Sequence, residues 1–185
     1  LDVIAELHTR TTRDYRARAF ESDKAACAAI AKQFGKAYWD GDRKYGYGGY
    51  RYDGRWRPFA ERLARHYGLG PGASILDVGC GKAHLLYEFT QAIPGVHVAG
   101  LDVSAYAIEH AKEDVRPSLV RGSATALPFR DRQFDLVVSI NTLHNLYNYD
   151  LRTALQEIER VGRRHAYLVV DSYRTEQEKV NLLYW

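Results

Sequence analysis

A short apolar run that meets an acid and two closely spaced glycines, Ser74-Ile-Leu-Asp-Val-Gly-Cys-Gly-Lys-Ala-His-Leu-Leu86, leaves this chain few folds to choose from. Ile75, Leu76 and Val78 read as a buried strand, Gly79 and Gly81 as a tight turn, and Lys82 to Ile93 as a helix. A strand that passes through glycines into a helix N-terminus is a nucleotide-binding device, because glycine lets the backbone turn sharply and lets a ligand approach the main chain. A second apolar run, His97-Val-Ala-Gly-Leu-Asp-Val103, places Asp102 at the tip of the next strand. That spacing suits one βαβ unit, with the acid placed to accept two ribose hydroxyls; the alternative is an acid that caps the following helix, although Ser104 already stands there. A dinucleotide loop asks for a third glycine where this chain has His84, so G-x-G-x-x-G is not met.

The rest of the chain after Pro58 alternates strand and helix, which predicts a parallel α/β sheet, doubly wound and Rossmann-like, with helices on both faces. The expected strands are Ser74–Val78, His97–Val103, Leu119–Gly122, Phe134–Ile140 and Ala166–Asp171. Helices are expected from Pro58 to a stop at Gly68, and over Lys82–Ile93, Ala105–Val115 and Leu151–Val161, the last capped by Asp150 and stopped by Gly162, with a further one over Thr175–Tyr184. In open parallel sheets, ligands bind at the carboxyl ends of the strands. The notable polar groups, Asp77 to Gly81, Asp102 to Ser104, Gly122 to Ala124 and Asn141 to Asn145, all fall at such ends.

Asp77-Val-Gly-Cys-Gly-Lys-Ala83 resembles motif I of the class I S-adenosylmethionine (SAM)-dependent methyltransferases, and the match, over about Gly70 to Asp171, is nearest their small-molecule branch. Ala83 stands where that family often has a third glycine. The resemblance implies SAM as cofactor and S-adenosylhomocysteine as product. It implies a cofactor site of Asp77, Gly79, Cys80, Gly81, Asp102, Val103, Ser123, Ala124 and Asn141. Val103 would face the adenine. Ser123-Ala-Thr-Ala-Leu-Pro-Phe129 resembles the adenine-contacting segment, with Ser123 where an Asp is usual. Phe134-Asp-Leu-Val-Val-Ser-Ile-Asn-Thr-Leu-His-Asn-Leu146 resembles motif IV and its sequel; it puts Asn141 beside the methyl group and His144 near the acceptor, as a base or as an orienting group. Ser-Ile-Asn-Thr142 is not the Asn-Pro-Pro-Tyr of adenine-N6 methylases, which disfavours DNA.

Residues 1–57 form an N-terminal segment distinct from the expected methyltransferase domain, 58–185. A helix is expected over Leu1–Ala19, and another over Asp23–Phe34 with Ser22 as cap and Gly35 just past its end. Tyr38 to Trp56 alternates aromatics with glycines and charges, a composition that argues against a helix. Such a loop is either a lid or an Ω-loop packed on its own side chains. As a lid, Tyr45, Tyr47, Tyr50 and Tyr52 would present ring faces to a sulfonium. Arg57, His144 and Tyr147 complete the expected acceptor pocket, which suits a small molecule with an anionic group.

Charge narrows the partners. The segment to Arg57 carries 12 basic against 8 acidic residues, and the remainder 14 against 15, short of a nucleic-acid footprint. No apolar run approaches the roughly 18–20 residues of a membrane span, and no leader pattern is seen at the N-terminus. Cys27 and Cys80 are too far apart to suggest a disulfide framework or a zinc site, so no metal is expected and a reducing cytoplasm is. The chain contains no methionine and stops at Leu182-Leu-Tyr-Trp185, which suggests a piece lacking the family's last two strands. Two other functions stay open: an RNA or protein methyltransferase, or a non-catalytic SAM-binding partner. Oligomeric state is not legible.

Overall fold

The computed structural model describes residues 23–184; the helix expected over Leu1–Ala19 and the Ser22 cap lie outside them. Its frame is a five-stranded sheet, all parallel, in the order β3-β2-β1-β4-β5. The strands are β1 (Ser74–Val78), β2 (His97–Asp102), β3 (Leu119–Arg121), β4 (Phe134–Ile140) and β5 (Gly162–Val169). Helices α3 (Arg57–Tyr67), α4 (His84–Ala92), α5 (Ala105–Glu109) and α6 (Asn148–Val161) flank it. Before them come α1 (Lys24–Ala31) and α2 (Lys36–Asp40), and after them α7 (Glu176–Tyr184). Residues 52–170 form one compact unit, and the segments before and after them belong to another.

β1 and β4 are buried along nearly their whole length, as central parallel strands covered on both faces must be. Leu76, Val78, Leu101, Val137, Ile158 and Val161 meet in one apolar core. The amino ends of the two central strands are pinned by Asp135. Ser74 donates to its carboxylate from both N–H and Oγ, each at 3.0 Å, and Arg163 pairs with it at 2.8 Å.

Several boundaries differ from expectation for identifiable reasons. The helix from Ala105 stops at Glu109 with His110 as its cap, whose main-chain N–H and ring Nδ1 both lie on the Tyr106 carbonyl, at 3.1 and 2.8 Å. Asp150 lies in the first turn of α6 instead of capping it. Gly162 ends α6 as expected and at the same time starts β5, paired opposite Phe134, so helix runs straight into strand with no loop between. Asp23 caps α1 by accepting from the N–H groups of Ala25 and Ala26. The left-handed residue after α1 is Phe34 (φ 48°), and Gly35 is extended at the start of α2. The aromatic stretch thus begins helically, with Trp39 buried.

Candidate functional site

The turn after β1 is held from the neighbouring strand. The N–H groups of Gly79 and Cys80 both donate to the Leu101 carbonyl, at 2.7 and 3.1 Å. Gly79 has φ 83°, Gly81 φ 53° and Ala83 φ 56°, so three of five residues sit in the left-handed region before α4 begins. A methyl on Gly79 would fall 2.1 Å from Thr142 Oγ1, so the end of β4 lies directly on the turn. Ser139 Oγ adds a bond to the Val78 carbonyl at 2.8 Å.

Asp102 ties this turn to the tip of β2. One carboxylate oxygen accepts from Gly81 N–H at 2.7 Å and the other from Ser104 N–H at 2.8 Å. Ser104 Oγ in turn caps Ala107 N–H at 3.0 Å. An ionised carboxylate has about four acceptor sites, and the main-chain donors of Gly81, Ser104 and Val103 leave room for a ligand hydroxyl. Burial raises the Asp102 pKa, against the pull of its main-chain donors. Asp77, buried in β1, is pushed up to about 8, by burial first and the charge of Asp102 second. Two such carboxyl groups beneath a main-chain cradle suit a cationic ligand.

Cys80 is buried, and burial with both acids pushes its thiol up, which disfavours a thiolate. Its sulfur lies over Gly100, where a Cβ would stand 2.8 Å away, so the residue offers the site main chain. Val103 is 48% exposed at the β2 tip, an apolar face available to a flat ring. At the β3 tip Ser123 Oγ accepts from Thr125 N–H at 3.2 Å and Ala124 is buried. At the β4 tip Asn141 is half-buried with φ 53°, and its N–H donates to the Val169 carbonyl at 3.0 Å. His144 is half-buried in a short 3-10 turn, Leu143–Asn145, just beyond. The structure therefore brings the glycine turn, Asp77, Asp102, Val103, Ser123, Ala124, Asn141 and His144 to one end of one sheet.

The other expected acceptor residues have surroundings of their own. Tyr147 stands 79% exposed at the head of α6. Tyr47 stacks on Trp39 at 5.2 Å, Tyr50 packs on both rings, and Tyr45 takes Lys44 over its face at 5.0 Å. These three belong with the segment before Tyr52. Tyr52 belongs to the sheet unit: its hydroxyl donates to Glu88 Oε1 at 2.7 Å, and that bond chiefly pushes its pKa up to about 12. Arg57, expected to hold a ligand anion, pairs with the other oxygen of Glu88.

Sequence reasoning passed over Glu88 and Thr142. Glu88 is fully buried on α4, and its signal was an acid on the face that carries Leu85 and Phe89. Thr142 had no local signal; its importance comes from a glycine 63 positions away. His84 opens α4 and is kept neutral, its pKa pushed down to about 4 by burial and then by Lys82 and Lys112. Lys112 Nζ lies over the rings of Tyr52 and Tyr87, at 3.8 and 4.3 Å. Among the described residues no three metal-ligating side chains converge, and no helix is long and apolar enough to cross a membrane.

Comparison with known proteins bears on the same residues. A family model described as a methyltransferase domain matches residues 76–170. A sterol 24-C-methyltransferase of Gibberella zeae is 32% identical over 139 residues, covering 65% of this chain and 35% of that protein. A 2-phytyl-1,4-naphthoquinone methyltransferase of a Nostoc species is 29% identical over 135 residues, covering 68% and 58%. The chain thus spans roughly a third to a little over half of these relatives. A solved SAM-dependent methyltransferase from Aquifex aeolicus superposes with a TM-score of 0.50 at 23% identity, covering 67% of this chain and 76% of that one, a likeness of fold.

Proposed function

The chain belongs to the methyltransferase domain family, and from that premise we propose that it transfers a methyl group from SAM to a small-molecule acceptor. One observation carries the reading: the Asp102 carboxylate and the Gly79–Gly81 turn, at neighbouring strand tips, are joined by a bond of 2.7 Å. Asp102 accepts from the ribose hydroxyls, Gly79 to Gly81 offer main chain to the methionine part, and Asp77 supplies a carboxyl close by. Val103 and the Ser123–Ala124 segment serve the adenine. These residues fit the cofactor by the chemistry of the set: buried carboxyl groups, which accept hydroxyls and favour a cation, lie beside the main chain of a glycine turn.

The cofactor, when bound, supplies a methyl group on a positively charged sulfur, ready for displacement. What remains for the protein is alignment and proton handling. Holding the acceptor in line supplies roughly 7–11 kcal/mol by effective-molarity arguments. Asn141, held by its main-chain bond to β5, borders the reaction side, and His144 takes a proton from an oxygen or nitrogen acceptor, a contribution of roughly 10²–10⁴-fold. The names of the two relatives, for a sterol carbon and a phytyl naphthoquinone, favour an apolar small molecule and add carbon to the acceptor atoms under test.

The test is thermal. At about 100 times its dissociation constant, S-adenosylhomocysteine stabilises a protein by ~2.7 kcal/mol. We expect a melting shift with that ligand, lost in Asp102→Ala; a shift with NAD in its place overturns the reading. Transfer of labelled methyl into a metabolite extract, and not into RNA or protein pools, then fixes the acceptor class.

A further inference from the structure

The connection from β3 to β4, residues 122–133, contains no helix or strand, yet it carries the Ser123–Ala124 segment. Four of its backbone groups are satisfied from the last turns of α6. Leu127 N–H donates to Glu157 Oε2 at 2.8 Å. Arg160 Nη2 donates to the Leu127 carbonyl at 2.9 Å, and Nη1 to the Phe129 carbonyl at 2.8 Å and to Asp131 at 2.8 Å. The guanidinium's remaining donors, Nε and the second Nη2 proton, go to Glu157 at 2.7 and 2.8 Å. Five N–H groups thus make five bonds, a pattern that a planar guanidinium can satisfy and a single ammonium cannot. The Arg160 carbonyl returns the tie by accepting from Arg132 N–H at 2.8 Å. The start of the loop is fastened elsewhere, Gly122 N–H donating to the main-chain carbonyl of Asp102 at 3.0 Å. Ala124 and Leu127 sit in the same core cluster as Ile158 and Val161 of α6.

We propose that Arg160, braced by Glu157, is a positioning residue of the cofactor site: it sets the 123–129 backbone against which the adenine end of the ligand is read. The proposal rests on the cofactor reading above. Arg160 touches neither ligand nor reacting atoms; it acts through the loop. Loss of the guanidinium frees two carbonyls, and the loop shifts at the point where a purine amino group meets main chain.

The measurement is calorimetric binding of S-adenosylhomocysteine and of its inosine counterpart, which lacks the purine amino group, well below the melting temperature. Wild type is expected to prefer the adenine form. Arg160→Met should weaken S-adenosylhomocysteine by about tenfold or more and bring the ratio of the two affinities toward one, with Arg160→Lys in between. Asp135→Asn, which loosens the opposite end of the sheet, should lower stability yet leave the ratio unchanged. If Arg160→Met does not fold, Glu157→Gln carries the test, with a smaller loss and the same fall in ratio. A ratio in these variants equal to wild type overturns the proposal. A wild type that binds neither ligand overturns the cofactor reading first, before any variant is made.

Discussion

Gly79 and Ala83 both adopt left-handed backbone in the turn after β1, and they respond to substitution in opposite ways. A side chain at Gly79 meets strain of roughly 1–2 kcal/mol and a clash with Thr142 of roughly 1–3 kcal/mol. Gly79→Ala should therefore cost about 2–5 kcal/mol in urea unfolding. Adding Thr142→Ala recovers part of this, because the Thr142 Cβ itself lies 2.6 Å from the added methyl. Ala83→Gly relieves comparable strain but adds unfolded-state entropy and removes a buried methyl, so it should fall within about 1 kcal/mol of wild type. Asp77 belongs to the same scale. Its folded pKa, about 8, lies above its unfolded value, so the folded chain keeps a proton that the unfolded chain releases. Its contribution to stability is complete below about pH 4 and is lost as pH rises toward 8, with a slope of at most ~1.4 kcal/mol per pH unit. Urea midpoints between pH 5 and 8 should fall more steeply for wild type than for Asp77→Asn; equal slopes would place the proton elsewhere.

At the scale of elements, α4 is more than the helix that follows a glycine turn. Its buried Glu88 receives Tyr52 and Arg57, so it fastens the chain entering α3 to the helix that leaves the turn. Tyr52→Phe leaves one Glu88 oxygen without that donor and should lower stability by about 1–2 kcal/mol, read as a lower melting temperature, since an unsatisfied buried acceptor keeps its desolvation cost. β1 and β4 begin and end where their apolar runs do, because central strands are apolar on both faces and the pattern is unmistakable. The heads of α5 and α6 illustrate the opposite. Ser104 caps as its type and position suggest, whereas Asp150 is drawn inside α6, which starts two residues earlier.

Across the whole molecule, four consecutive parallel strands deliver their carboxyl ends to one edge, and the order β3-β2-β1-β4-β5 puts β1 in the middle. Its neighbours β2 and β4 then supply Asp102 on one side and Thr142 with Asn141 on the other. A ligand bound there holds several strand tips at once, so the thermal shift expected with S-adenosylhomocysteine reports on the cooperative unfolding of residues 52–170. The aromatic stretch divides at this scale. Tyr45, Tyr47 and Tyr50 lie in one compact unit and Tyr52 in the other, so the run of tyrosines that reads as one feature along the chain is two in space.

The βα alternation, the glycine turn, Asp102 at its strand tip and the apolar strands β1 and β4 were legible in the chain alone. Each depends on local periodicity or on a backbone conformation that few residues tolerate. The partners of those residues were not. Thr142 over Gly79, Glu88 beneath Tyr52 and Arg57, and Arg160 across the 123–131 loop unite positions 29 or more apart. Whether an arginine faces a ligand or a buried glutamate is set by which strands and helices become neighbours, and sequence spacing carries no measure of that.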